Sequence, residues 1–298
     1  MKNVLNYYYN LNPSIIHQKN NMYLFDNDNY NYVLMLVDKD LNKLNDIYNI
    51  SLILNNKGIY THRIIPNNQK NLTTIVNNHY YVLMQLVKGL DKKITIDDIV
   101  NFTNITKNIN YDSLKKDNWY HLWINKIDYF EYQISELEKK YPNIKESFNY
   151  FSGLVELGIS LLSNLSFDKT SIGVCHNRIK SNYTLFDLYN PFNFVIDYSV
   201  RDTAEYIKEL FINEDPYLLI ENYIKYNNLS NSEISLFFIR LLYPSFYFDL
   251  YEEIIENNID DNKIIDFIKK ADEYELLLKK TYTLIKSICP FPEIEWLN

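Results

Sequence analysis

The chain has few cysteines, histidines and glycines, the residues on which disulfide-rich domains, zinc sites and glycine-rich phosphate-binding loops depend. Only two cysteines, Cys175 and Cys289, occur among its 298 residues, so no disulfide framework is expected and a reducing compartment is the simpler environment. The five histidines show no metal-ligand spacing, which argues against a zinc site. Only five glycines are present, and they are too scattered to form a Gly-rich loop over phosphates.

Basic charge and long apolar runs are also scarce. The chain carries 38 acidic and 30 basic residues, a formal net charge of -8, which disfavours a nucleic-acid partner. No stretch approaches the roughly 20 apolar residues that a membrane-spanning helix needs. The first residues are polar and tyrosine-rich and do not resemble a signal peptide. We therefore expect a cytoplasmic protein without a membrane span.

The composition that remains is that of a folded protein. Hydrophobic residues make up 47% of the chain and charged residues 23%, as in ordinary globular domains. A length of 298 residues is sufficient for one large domain or two modest ones.

The first part of the chain has mostly strand-like patterns. Apolar runs at residues 23–25 and 32–37 flank a turn-forming stretch, residues 26–29, and predict a hairpin. Apolar residues at three- and four-residue spacing from Leu41 to Leu52 then predict a helix that Gly58 ends. Residues 59–65, 72–76 and 80–87 are further strand candidates, with Asn77 and Asn78 as a tight turn. We expect a small antiparallel β lobe over residues 1–88.

The rest of the chain has mainly helical periodicity, so residues 89–298 are expected to form a large helical lobe. An apolar stripe from Trp119 to Leu137 predicts a helix with Asp117 as its N-cap. A second helix is predicted over residues 144–165 and should pack with the first. The predicted fold class is α+β.

A strand, loop, strand, loop, helix order follows in residues 172–211. One short apolar run ends in His176, and a second, residues 194–198, contains Asp197. Ser199 and Asp202 have the spacing of a capping box, which predicts a helix start with an acid in its first turn.

These residues resemble the catalytic region of the aminoglycoside phosphotransferase and choline kinase group. That group has a histidine, an aspartate two residues later and an asparagine five further on, then a hydrophobic residue with an aspartate, then a helix opening D-x-A. The matching elements here are His176, Asp197 and residues 201–205, including Arg201, Asp202 and Glu205. More closely, the chain resembles the YutH-like branch of kinase-like proteins associated with bacterial spore coats. The segments that carry this likeness are residues 150–156, 175–178, 201–207 and 240–244.

The resemblance implies a two-lobed protein-kinase-like fold with a nucleotide hinge. Met84 and Gly89, at the end of the last small-lobe strand, are the hinge candidates. It further implies that His176, Arg178, Asp197 and Asp202 meet in the cleft between the lobes, with Arg201, Asp202 and Glu205 structuring that cleft.

Departures from the family pattern bear on activity. Arg178 occupies the position of the catalytic aspartate, and a guanidinium cannot act as a base at neutral pH. Tyr183 falls where the asparagine would help to hold a second metal ion. Asp197 is the only clear hard-oxygen ligand left for magnesium. The nucleotide-contacting lysine is not evident in residues 32–37.

Each remaining residue also has a structural interpretation. His176 is expected to be a buried, hydrogen-bonded residue that braces the loop. Asp197 is either a residual metal ligand, an acceptor for backbone N–H groups or a partner of Arg178, and we expect Arg178 to neutralise it.

Two functions follow as expectations. The first is a catalytically inactive, kinase-like binding or assembly module, with a spore coat as one setting and a protein or small molecule as its partner. The second is an atypical phosphotransferase that uses ATP on a small hydroxylated substrate, with Asp187 or Asp197 in place of the missing base. No cofactor is certain, and ATP with Mg²⁺ stays open in either case.

Overall fold

The chain divides into two compact units that are interleaved in the sequence. The computed structural model describes residues 1–37, 40–137, 139–167 and 170–298. The first unit comprises Met1–Thr95, Ile109–Leu114 and Asn182–Val195, and the second comprises Ile96–Asn108, Lys115–Ser181 and Ile196–Asn298. This division differs from a single boundary after residue 88. Backbone hydrogen bonds that join Leu90, Lys92 and Ile94 to residues 183–186 attach the later segment to the first unit.

The first unit is built on a six-stranded antiparallel sheet. Its strands are β1 (His17–Lys19), β2 (Met22–Asn27), β3 (Tyr30–Val37), β4 (Arg63–Ile65), β5 (Thr74–Val76) and β6 (His79–Leu86). The order is β1-β2-β3-β6-β4, and β5 also pairs with β6. Both predicted turns adopt left-handed backbone: φ is 54° at Asp28, 50° at Asn77 and 63° at Asn78. Asparagine and aspartate tolerate this region better than most residues, which explains the register of both hairpins.

The sheet and its helices surround a small core. Helix α1 (Lys2–Tyr9) contributes Leu5 and Tyr9 to a cluster with residues of β2, β3 and β6. Helix α2 (Leu41–Asn56) begins at Asp40, whose side chain accepts a hydrogen bond from the Lys43 amide. It ends before Gly58, where φ is 86°. The predicted helix is therefore present, whereas α1 and the three-residue β1 were not predicted.

The second unit is largely helical. Its larger helices are α3 (Ile96–Thr106), α4 (Trp119–Leu137), α5 (Pro142–Asn164), α7 (Arg201–Phe211), α8 (Tyr217–Tyr226), α9 (Asn231–Leu242), α10 (Ser245–Asn257), α11 (Ile264–Lys269) and α12 (Ala271–Ile288). The short helix α6 (Leu185–Leu188) belongs to the first unit. None of the helices within the described ranges is long and apolar enough to cross a membrane.

The predicted pair of helices, α4 and α5, packs into the core of the second unit. Trp119, Trp123, Ile127 and Phe130 are all buried along one face of α4, as their spacing predicts. The Asn118 side chain, not that of Asp117, accepts the hydrogen bond from the His121 amide at the start of this helix. The predicted N-cap was one residue too early.

Two short strands precede α7. Strands β7 (Ile172–His176) and β8 (Phe194–Tyr198) form a two-stranded sheet whose residues are almost all buried. The chain then turns into α7, whose first turn carries Arg201 and Asp202. His176 thus lies at the end of β7, Asp197 on the paired strand β8 and Asp202 in the first turn of α7.

Candidate functional site

His176 lies at the end of β7 and is completely buried. Its Nδ1 is 2.6 Å from Asp202 Oδ2, and its amide donates to Asp202 Oδ1 at 3.0 Å. One carboxylate thus fixes both the ring and the backbone of His176. The interpretation of His176 as a bracing residue agrees with this geometry.

The predicted capping box at the start of α7 is wrong. Because Asp202 turns back to His176, its side chain does not cap the helix, and no side-chain cap hydrogen bond is formed there. The Ser199 hydroxyl is instead within hydrogen-bond distance of Ser171 and Glu233. The acid at this position connects β7 to α7.

Asp197 is buried on β8 with both carboxylate oxygens engaged. Oδ1 accepts from the Trp119 indole N–H at 2.8 Å and from the Tyr198 amide at 2.7 Å. Oδ2 accepts from Arg201 Nη1 at 2.5 Å, and Arg201 Nη2 donates to the Asn177 carbonyl at 3.0 Å. Burial raises the pKa of Asp197 to about 6, although the guanidinium groups of Arg201 and Arg240 act in the opposite direction.

The expected pairing of Arg178 with Asp197 is wrong. Arg178 instead forms a bidentate pair with Asp249 of α10, with Nε to Oδ2 at 2.8 Å and Nη2 to Oδ1 at 2.5 Å. Both side chains are 38% exposed. Arg201, four residues after Asp197 on the first turn of α7, supplies the counter-charge. Loss of Arg178 therefore does not deprive Asp197 of its partner, contrary to expectation.

Magnesium does not fit the Asp197 site. The ion takes oxygen ligands in near-octahedral geometry and usually keeps several waters, whereas the Asp197 oxygens lie against an indole, an amide and a guanidinium. Within the described ranges, no group of three or more His, Cys, Asp or Glu side chains is arranged to hold a metal ion. The positive charge beside Asp197 comes from protein side chains.

The other proposed catalytic positions, Tyr183 and Asp187, belong to the first unit. The Tyr183 carbonyl accepts a hydrogen bond from the Ile94 amide. Asp187 Oδ2 accepts from the Thr184 amide at 2.9 Å and from the Thr184 hydroxyl at 3.1 Å, a capping box for α6. A carboxylate held in this way stabilises a helix end and is already engaged as an acceptor.

Of the hinge candidates, Met84 lies within β6 and Gly89 lies three residues beyond its end. Met84 is buried in the centre of the sheet, where it pairs with Val33 of β3 and Ile64 of β4. Gly89 has a φ of 76°, which a side chain would strain.

Sequence reasoning missed a second buried ionic cluster around Glu205. Glu205 accepts from Arg240 Nε at 2.6 Å, from Lys208 Nζ at 2.9 Å and from the Ser245 hydroxyl at 2.6 Å. The Arg240 guanidinium also lies 4.9 Å from the Trp119 ring centroid. An arginine inside the apolar run of α9 was the available signal, since a charge there requires a buried partner.

The family comparison matches almost the whole chain. The model described as "Spore coat putative kinase YutH" matches residues 2–281. The endospore coat-associated protein YutH of Bacillus subtilis (strain 168) is 26% identical over 209 residues. That match covers 60% of this chain and 61% of the B. subtilis protein, less than two thirds of its length.

Solved structures share the fold at low sequence identity. An aminoglycoside phosphotransferase from Alicyclobacillus acidocaldarius superposes with a TM-score of 0.63 at 11% identity, over 96% of this chain and 94% of that one. A spectinomycin phosphotransferase in complex with ADP and spectinomycin gives 0.57 at 11% identity, over 95% and 97%. The choline kinase of Streptococcus pneumoniae gives 0.50 at 13% identity, over 91% and 92%. With the match over residues 2–281, we conclude that the chain belongs to the spore coat YutH family and has the two-lobed, kinase-like fold of the aminoglycoside phosphotransferases and choline kinases.

Proposed function

We propose that this protein is a catalytically inactive member of the kinase-like fold that serves as a binding or assembly module of the spore coat. The observation that carries the proposal is that both carboxylate oxygens of Asp197 already accept hydrogen bonds from protein groups. Their donors are Trp119, Tyr198 and Arg201. A phosphotransferase of this fold needs such an acid to hold the metal that neutralises the transferred phosphate. Here protein groups take that role, and the carboxylate is occupied before any ligand arrives.

The surroundings of Arg178 support the same proposal. By the sequence resemblance, Arg178 takes the position of the catalytic aspartate, and Asp249 bonds both Nε and Nη2 of its guanidinium. An always-charged group cannot accept a proton from an alcohol. Loss of the base and of the metal site together should lower transfer by many powers of ten, since each tenfold change is about 1.4 kcal/mol of barrier.

The assembly part of the proposal draws on the family. Its description and the name of the B. subtilis relative both refer to the spore coat. A fold without turnover would act there by binding a protein or small-molecule partner. We therefore propose a role in the coat that depends on binding and does not need ATP.

A transfer assay tests the inactive state. Purified protein is incubated with ATP and Mg²⁺ against aminoglycosides, choline and other small alcohols, and phosphorylated product and released phosphate are measured. We expect neither above the rate without protein. Turnover with native Arg178 in place that is lost in Asp197→Asn would show instead that the chain is an atypical phosphotransferase.

A localisation assay tests the coat role. The chain is expressed during sporulation in a spore-forming host without its own copy, and coat extracts are compared with soluble extracts. We expect recovery in the coat fraction for the native chain and equally for Arg178→Met. Recovery only in the soluble fraction would contradict the assembly proposal.

A further inference from the structure

His62, directly before β4, joins three distant parts of the first unit. It is completely buried, and its amide donates to the Tyr189 carbonyl at 3.1 Å. Its Nδ1 accepts from the Val87 amide at 3.1 Å, and its Nε2 is 3.1 Å from the Phe186 carbonyl. One side chain thus connects β4, the hinge candidate and the segment Asn182–Val195.

The two ring contacts define the tautomer of His62. A backbone N–H can only donate, so Nδ1 must carry a lone pair toward Val87. A carbonyl can only accept, so Nε2 must carry the proton toward Phe186. The neutral Nε2–H form satisfies both partners at once, and burial lowers the pKa of His62 to about 4, which keeps the ring neutral at pH 7.

Val87 is the first residue beyond the ladder of β6. That strand ends at Leu86, which pairs with Asn31, while Gln85 is the last residue paired with β4. The Val87 amide is thus the first backbone donor of the hinge candidate that lies outside the sheet. Backbone N–H groups in such positions commonly fix the orientation of a bound ligand.

We propose that His62 is an internal ligand of the hinge candidate, and that its imidazole holds the Val87 amide in place of a nucleotide base. The imidazole presents an unprotonated sp² nitrogen in an aromatic ring, the same acceptor that a purine presents. Because the fold already supplies this acceptor, a purine gains nothing at Val87 unless it displaces a fully buried ring that also bonds the Phe186 carbonyl. The inference deepens the proposed function, on which it rests, by naming the ligand class that the hinge rejects.

The bond itself is measured in the native protein. In a deuterated, ¹⁵N-labelled sample, an N–H···N hydrogen bond gives a scalar coupling between the Val87 amide nitrogen and His62 Nδ1. We expect this coupling, and we expect millimolar adenosine or ATP with Mg²⁺ to leave the Val87 amide signal unmoved. Absence of the coupling, or its loss together with a shift of Val87 when adenosine is added, would overturn the proposal.

Two substitutions separate the contacts of the ring. In His62→Asn the side-chain oxygen can take the place of Nδ1 and still accept from Val87. In His62→Gln the longer amide reaches Phe186 but withdraws the acceptor from Val87. We expect Val87 amide exchange about fivefold faster in His62→Gln than in the native chain and little changed in His62→Asn, since one such bond is worth about 1 kcal/mol. Equal protection in all three proteins would contradict the proposal, and if neither variant folds, the coupling in the native chain decides.

Failure of this inference is distinguishable from failure of the proposed function. Transfer of phosphate with the Val87–His62 coupling intact would contradict inactivity and leave the internal ligand standing. Displacement of His62 by adenosine without any transfer would contradict the internal ligand alone.

Discussion

Arg178 and Arg201 lie in the same matched region of the sequence, but their surroundings differ. The Arg201–Asp197 pair is buried, with side chains 7% and 0% exposed. In the Arg178–Asp249 pair both side chains are 38% exposed, although two hydrogen bonds join them in a bidentate arrangement. Water and salt screen the second pair and barely reach the first. We therefore expect the fold to depend more on Arg201 than on Arg178, the residue to which the family resemblance drew attention.

The difference bears on how a buried carboxylate in this fold can be neutralised by protein groups. A buried carboxylate needs a positive partner, and magnesium is one of several that can serve. In this chain Arg201, the first residue of α7, follows Asp197 of β8 by four residues, so the partner lies in the same short segment. The experiments on Arg201 and Arg178 below test the two sides of this contrast, and those on His62 and Asp187 compare them with polar groups held by hydrogen bonds.

The largest effect is expected from removing the buried partner. Arg201→Met should lower the free energy of unfolding by about 3–5 kcal/mol, because it leaves the Asp197 carboxylate buried without its pair. Urea denaturation followed by circular dichroism measures the change. A loss below about 1 kcal/mol would indicate that Asp197 simply takes up a proton and that the pair contributes little.

The next largest effect is expected in the pH dependence of stability, because His62 is buried in its neutral form. The pKa of His62 is lowered from 6.5 to about 4 by burial, so between these values the unfolded chain binds the proton more readily. Stability from His62 is therefore present above pH 6.5 and is lost as the pH falls toward 4. Between pH 7 and pH 5 the native chain should lose about 2 kcal/mol more than His62→Gln. His62→Gln serves as the control because Asp197 titrates in both proteins. Its raised pKa makes its contribution to stability fall as the pH rises, opposite to that of His62.

A carboxylate that bonds only neutral groups should matter less. Asp187→Ala removes the acceptor for the Thr184 amide and hydroxyl and should cost about 1 kcal/mol, as the loss of a helix cap does. Thermal unfolding of Asp187→Asn, which keeps one acceptor oxygen, provides the comparison. An unchanged melting temperature in the alanine variant would mean that the cap of α6 is not needed.

The smallest effect is expected at the exposed pair. Arg178→Met, the same change as in the first experiment, should cost less than about 1 kcal/mol, because half-exposed ion pairs gain little over their hydrated ions. Adding 1 M salt should reduce even this difference, which isothermal urea titrations at two salt concentrations would detect. A loss comparable to that of Arg201→Met would remove the distinction between the two regions.

Local pattern was sufficient for much of the fold. The hairpin turns at Asp28 and at Asn77–Asn78 and the stripe of α4 follow from residues close in sequence, and these predictions were confirmed. Helix α1 was missed because its apolar residues are few and only Leu5 and Tyr9 of its eight residues are buried. Strand β1 has three exposed residues and so carries no alternation to detect.

The site was only partly predictable, for a related reason. Asp249 lies 71 residues after Arg178 in the sequence, and no spacing rule connects them. The partner of Asp197 was within reach, since Arg201 follows it by four residues at the start of a predicted helix. Motif comparison drew attention to Arg178 instead, because the resemblance aligns it with the family's catalytic aspartate. Burial decides the charge pairing and cannot be read from a motif.

Because the two units are interleaved in the sequence, neither can be exchanged between related proteins as one continuous gene segment. Each unit is assembled from three stretches of chain, and the changeover between Val195 and Ile196 falls inside β8. A gene fragment cut after residue 95 would encode a sheet without α6 and without the Phe186 and Tyr189 carbonyls that His62 bonds. Neither unit could therefore be exchanged with a relative as a contiguous cassette, and we expect recombination within this family to keep the coding sequence from residue 1 to at least residue 195 together.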